Sequence, residues 1–170
     1  MNKSSLLIIR IVCLVVVGSF FLSYFVVSCG GAEVNISGME AAFGIDKEDI
    51  PLDPSPMLLV IPVVTLVVLV VLSVPTILKK QEIIKSQKIS FFSVITMIGS
   101  IIGLIMLAVA HNGAIGKVQR ELGARDISKY YHTGVGFKIC VIAFIVMFVM
   151  PFVDKFILKN LPPQNNASPD

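Results

Sequence analysis

Few side chains in this 170-residue sequence could do chemistry. Three are cysteines, Cys13, Cys29 and Cys140, with no C-x-x-C spacing among them. Cys29 is the most open to a functional reading. A basic start at Lys3, an apolar run and the small Ser28 directly before the thiol outline a bacterial lipoprotein signal, after whose cleavage Cys29 would be the lipidated N-terminus. Against this, residues 11–27 are an uncharged run of 17, longer than the about 7–15 residues of a secretory apolar region. Val26 also stands where such signals usually carry Leu. The expectation is a thiol kept in a cap outside the membrane, with lipidation as the alternative. Cys13 and Cys140 lie within apolar runs and are expected to pack as small hydrophobes. His111 and His132, with Cys29, offer three zinc ligands. Structural zinc takes four ligands at local spacing, and these histidines are 21 residues apart, so no metal and no cofactor is expected. Residues 28–56 hold Glu33, Glu40, Asp46, Glu48, Asp49 and Asp53 against Lys47, a net charge of −5. A hard cation needs converging carboxylates, but this spacing matches no calcium loop, and a solvated loop is expected.

The elements that must position these residues come from composition. Of the chain, 55% is hydrophobic and 15% charged, with a mean hydropathy of +0.89. Soluble domains carry about 25% charged residues, so an ordinary soluble domain is excluded. Four apolar runs stand out, at 6–27, 57–78, 89–110 and 135–153. A 22-residue helix reaches about 33 Å, against a hydrocarbon core of about 30 Å. Backbone polar groups find no partner in lipid, so each span must be helical, although LVIPVVTLVVLVVL would read as a strand in water. The fold class expected is an all-α integral membrane protein, a four-helix transmembrane bundle over 1–160 with a small extracytoplasmic cap and a disordered tail at 161–170. Lys3 and Arg10 at the start, and Lys79, Lys80, Lys85 and Lys88 in the 79–88 hairpin, place both termini in the cytoplasm. Segments 28–56 and 111–134 then lie outside, although Lys117, Arg120, Arg125 and Lys129 run against the rule in the second.

Within the runs, Arg10 and Lys138 sit near the ends, where a long side chain can snorkel to the interface. No Asp or Glu falls inside any of the four, which argues against proton-coupled transport and intramembrane acid–base chemistry. Gly99 and Gly103, in GSIIG, allow close helix packing. Ser19 and Ser23 form a similar small face, and Pro62 and Pro75 are expected to kink the second run or end it early. Outside, MEAAFG suggests a turn of helix in an ordered cap near 37–44. Ile115, Val118 and Leu122 share one helical face, so a short amphipathic helix is expected on the membrane surface. Its basic residues would pair with the acids of 28–56. No Walker loop, dinucleotide fingerprint, Ser-His-Asp set or nucleic-acid module occurs.

Residues 29–44, CGGAEVNISGMEAAFG, follow directly on the first apolar run. This stretch resembles a pattern in small bacterial four-span membrane proteins of unknown function, where a Cys-Gly-Gly and an Ile-Ser-Gly shape a cap after the first helix. The resemblance implies that Cys29, Gly38 and Gly44 form an outer cap rather than a catalytic centre, and it carries no activity. The function expected is therefore a non-enzymatic accessory or structural protein of the bacterial cytoplasmic membrane. Its partners would be the lipid bilayer and another membrane protein or a second copy, with no nucleic acid. The alternatives are an oligomeric channel or transport subunit, and a lipoprotein processed at Cys29.

Overall fold

The computed structural model describes residues 3–29, 32–47, 50–52, 54–77, 88–122 and 131–160. Among them the order of elements is α1 (Lys3–Ser19), β1 (Ser23–Cys29), β2 (Ala32–Ser37), α2 (Gly38–Phe43), β3 (Ile45–Lys47), β4 (Ile50–Leu52), a 3-10 turn (Pro56–Leu59), α3 (Val60–Ile77), α4 (Lys88–Leu122), β5 (Tyr131–Thr133) and α5 (Val135–Asn160). Among the described residues three stretches are long and apolar enough to cross a membrane: Pro56–Val74, Phe91–Gly116 and Val135–Phe156. α1 packs on α3 and α5, and α4 packs on the same two. Facing inward are Ile9, Cys13 and Val16 of α1, Ile61, Val68 and Leu72 of α3, Leu107 of α4, and Phe144 and Met147 of α5. The outward faces are apolar too, with Leu7, Ile11, Leu14, Val67, Val70, Ile101, Ile105, Ile142 and Ile145 exposed. A helix apolar all round belongs in a core or a membrane.

The first run is not one helix. α1 stops at Ser19, after about 25 Å of rise. The chain then tightens through hydrogen bonds of the i→i−3 kind, from Phe20 to the Val17 carbonyl, Phe21 to Gly18 and Leu22 to Ser19, at 3.0–3.3 Å. From Ser23 it is extended. β1 is the central strand of an antiparallel sheet of order β2-β1-β5, and β3 pairs with β4 in a separate hairpin. The all-α expectation and the 6–27 span are thus both corrected. Phe25 and Val27 are buried on one face of β1, and Tyr24 beside them is buried as well. The strand supplies its own hydrogen-bond partners in β2 and β5, so helix is not forced there.

The other runs depart less. Pro62 lies in the first turn of α3, where its missing N–H costs little. Pro75 stands in the last turn. α5 continues through Pro151 to Asn160, well past 153. α4 does not end at Ala110. It runs on to Leu122 as one 35-residue helix, which replaces the separate surface helix expected in 111–134. The 79–88 hairpin up to Gln87 and the 161–170 tail lie outside the described residues.

Candidate functional site: the cap and the two polar layers

The cap grows from the end of α1. A register shift in the β1–β2 pairing between Ser23 and Phe25 inserts Tyr24 as an extra residue. Tyr24 turns into the helices, where its hydroxyl lies 2.7 Å from the Cys140 sulfur on α5. Ser19 Oγ stands 2.9 Å from the same sulfur and donates to the Val16 carbonyl at 2.8 Å. Three buried polar side chains thereby satisfy one another, joining the end of α1, the first residues of β1 and the first turns of α5. Cys140 packs as expected, and with a partner that its spacing did not foretell.

Aromatic rings continue from Tyr24. Its ring meets Phe20, Phe25 and Phe137 edge-on at 5.6–6.2 Å, a favoured geometry for aromatic pairs. Phe25 and Phe137 lead on to Tyr131 and His111. His111 Nδ1 is 3.1 Å from the Tyr131 hydroxyl. Burial pushes the Tyr131 phenol well above its ordinary value, so it stays neutral. Consecutive strand residues point to opposite faces: Tyr131 is buried and His132 exposed. His111 therefore keeps company with the covered face of β5 while His132 leaves from the other, and the two do not share a ligand. The strand register sets Asn35, Val26 and His132 in one row across the sheet. With the exposed Glu33 this row makes the free, polar face of the cap.

Cys29 is the last residue of β1, its backbone opposite Ala32; its side chain lies outside the described residues. Gly38 is the first residue of α2 and is buried. A Cβ there would meet the Phe20 ring at 2.7 Å and the Phe20 carbonyl oxygen at 2.8 Å, so only glycine lets α2 sit on the end of α1. Gly44 caps α2 with φ at 84°, a left-handed conformation that favours glycine. Its N–H donates to the Glu40 carbonyl at 2.9 Å. The start of α2 carries a signal that the sequence reading missed: Ser37 and Glu40 form a capping box. Ser37 Oγ accepts from the Glu40 N–H at 3.2 Å, and the Glu40 carboxylate accepts from the Ser37 N–H at 2.8 Å. Ser37→Ala should lower stability by about 1 kcal/mol, read as an earlier midpoint in a denaturing-detergent titration followed by circular dichroism.

Among the described residues the acids of 28–56 are not brought together. Glu33 is exposed on β2, Glu40 closes the capping box and Asp46 lies on β3, while Glu48, Asp49 and Asp53 lie outside the described residues. Among the described residues no three His, Cys, Asp or Glu side chains could hold a metal ion. The expected pairing of these acids with Arg125 or Lys129 also falls outside them. Arg120 donates to the Gly116 carbonyl of its own helix at 3.1 Å.

A second polar layer lies at the other end of the helices. Asp154 is only 3% exposed, and Ser5 Oγ donates to its Oδ1 at 2.9 Å across the α1–α5 contact. This corrects the expectation of no acid inside an apolar stretch, because the Val135–Phe156 stretch includes Asp154. Arg10 reaches across to the Leu72 carbonyl of α3, a sideways contact in place of simple snorkelling. Lys138 is exposed. Gly99 and Gly103 face different helices. A Cβ on Gly99 would be 2.8 Å from Val68 of α3, and one on Gly103 2.4 Å from the Phe144 ring of α5. Gly134 and Gly136, not singled out beforehand, lock the cap: a Cβ would lie 2.1 Å from the Ser23 carbonyl oxygen or 2.6 Å from that of Ser19.

Compared with known protein families, with curated proteins and with solved structures, the chain finds no match.

Proposed function

We propose that this chain is a non-enzymatic, four-span protein of a bacterial cytoplasmic membrane that holds a small cap on the outer face for a protein or lipid partner. Both termini are then cytoplasmic, in keeping with the basic residues at Lys3, Arg10 and 79–88. α1 would be the fourth span. It is short, but it packs along α3 and α5 with an apolar exposed face, and Phe20, Phe21 and Leu22 extend its apolar length.

The observation that carries this reading is where the interior hydroxyls go. Thr65 donates to Ile61, Ser73 to Leu69, Thr96 to Phe92 and Ser100 to Thr96, each onto a carbonyl of its own helix at 2.7–2.8 Å. Thr65, Thr96 and Ser100 are also buried, so within one copy these hydroxyls do not face a water-filled path. Gly99 and Gly103 let α4 pack closely on α3 and α5 within one copy. These features favour an accessory or structural role over a channel subunit. The lipoprotein alternative fares worse. Cleavage before Cys29 would remove α1 and all but the last residue of β1, taking Ile9, Cys13, Val16, Tyr24 and Phe25 out of the core.

The test has two arms. Purified protein in sealed liposomes should pass ions and small solutes no faster than empty vesicles. A photo-crosslinking residue at Asn35 or His132, on the polar row of the sheet, should give a discrete adduct in intact cells, and the same residue at Ile105, on the outward face of α4, should give none to protein. Flux that scales with protein content would overturn the reading in favour of transport.

A further inference from the structure

α2 has a face that the cap leaves bare. Its buried residues, Gly38, Ala41 and Ala42, are small and turned onto the helix ends. Met39 and Phe43, four residues apart on one side of the helix, are 36% and 62% exposed. Bare apolar surface on a cap would be unfavourable in water.

Its position says what covers it. The Met39 N–H donates to the Phe20 carbonyl at 3.2 Å, and the Ser55 N–H to the Ala41 carbonyl at 3.0 Å. α2 therefore bridges the end of α1 and the turn that opens α3. At those two places further apolar side chains are exposed, Phe21 and Leu22 after α1 and Met57 before α3. They continue the exposed apolar flanks of the same helices, Leu14 and Val15 on α1 and Val63 on α3. The bare face of α2 thus belongs to a helix whose two points of attachment are both flanked by exposed apolar side chains. The helix brings no opposing charge to it, since the carboxylate of its one acid, Glu40, is folded back onto the Ser37 N–H.

We infer that α2 lies in the headgroup–acyl boundary of the outer leaflet, with Met39 and Phe43 immersed in lipid, so that the partner of this face is the membrane surface itself. The cap is then tied to the bilayer at α2 and presents its polar sheet row to water. This inference rests on reading the helices as membrane-crossing.

The chain contains no Trp, so one introduced Trp reports alone. In liposomes, Phe43→Trp should emit at short wavelength and lose intensity to lipids brominated near the headgroup more than to lipids brominated near the chain ends. Ile142→Trp, on the exposed face of α5, should show the reverse preference. Quenching of Phe43→Trp by aqueous iodide and not by bromolipid would overturn the inference, because the face would then be in water. Shielding from both quenchers would also overturn it, by showing protein, such as a second copy, over the face. If Ile142→Trp also escaped bromolipid, the membrane-crossing reading would fail first; if it alone is quenched, only the placement of α2 fails.

Discussion

Replacing Gly134 with alanine should remove most of the folded protein. The added Cβ would lie 2.1 Å from the Ser23 carbonyl oxygen, 2.6 Å from its carbon and 2.9 Å from Ser23 Oγ. Two of these are backbone atoms, so no rotamer change relieves the clash. Nor can Gly134 simply move away. Its N–H donates to the Tyr24 carbonyl at 2.8 Å, and β5, which pairs with β1, ends one residue before it. Retreat would pull Tyr24 off Cys140 and open the sheet. Overpacking costs about 1–3 kcal/mol where side chains can yield, and a backbone collision belongs at or above the top of that range. The measurement is the midpoint of unfolding in a denaturing-detergent titration, together with the folded yield. Gly113→Ala is the matched control. It sits inside α4 with nothing within 4 Å of its Cβ position, so alanine there should be neutral or stabilise by about 0.5–1 kcal/mol. Equal midpoints for the two variants would mean that the α5 start does not clamp the cap.

Why Gly134 was not legible beforehand follows from what periodicity can carry. Apolar runs locate helices because a helix in lipid satisfies its own backbone, and α3, α4 and α5 were found this way. The same signal failed for residues 23–29. There Ser-Tyr-Phe-Val-Val-Ser-Cys is strand-forming by propensity, yet it follows α1 without a polar break, and the apolar Val26 on the less covered face hides the alternation that marks a half-covered strand. Of the partner strands, β2 begins three residues after β1 ends, across Gly30 and Gly31, so that pairing had a local signal, whereas β5 lies more than a hundred positions away and nothing local announces it. Thr-Gly-Val-Gly at 133–136 shows only two small residues, and their meaning lies in Ser19 and Ser23, more than a hundred positions away. Two misses were avoidable. Ser37-x-x-Glu40 is a capping signature readable from sequence. Asp154 lies one residue beyond Val153, so an acid at the end of the fourth run was visible, although its partner Ser5, 149 positions away, was not. The third run was expected to end at Ala110, where the apolar residues stop, but a glycine inside a helix costs only about 1 kcal/mol, and α4 passes through Gly113.

Gly103→Leu should be the most damaging change within the helices, and a second substitution should partly undo it. The Phe144 ring occupies the space above Gly103, with three ring carbons 2.4–2.8 Å from the Cβ position. Phe144 is buried, so its ring has no solvent to swing into, and α4 must part from α5. About 3 kcal/mol of destabilisation is the expected scale. Phe144→Leu alone leaves a small void and should cost less. Combined, the two leucines place comparable bulk at the contact, and the double variant should be more stable than the sum of the single effects by about 0.5–3 kcal/mol, the range for residues in contact. The outcome also bears on function. Were GSIIG a dimer surface, Gly103→Leu would change the oligomeric mass in mild detergent, and Phe144→Leu would have nothing to rescue. Rescue at unchanged mass would mean that the two glycines bind this chain's own helices, Gly99 against α3 and Gly103 against α5. The dimer reading of GSIIG would then fall, and the polar row of the cap, Asn35–Val26–His132, would be the next surface on which to seek a partner.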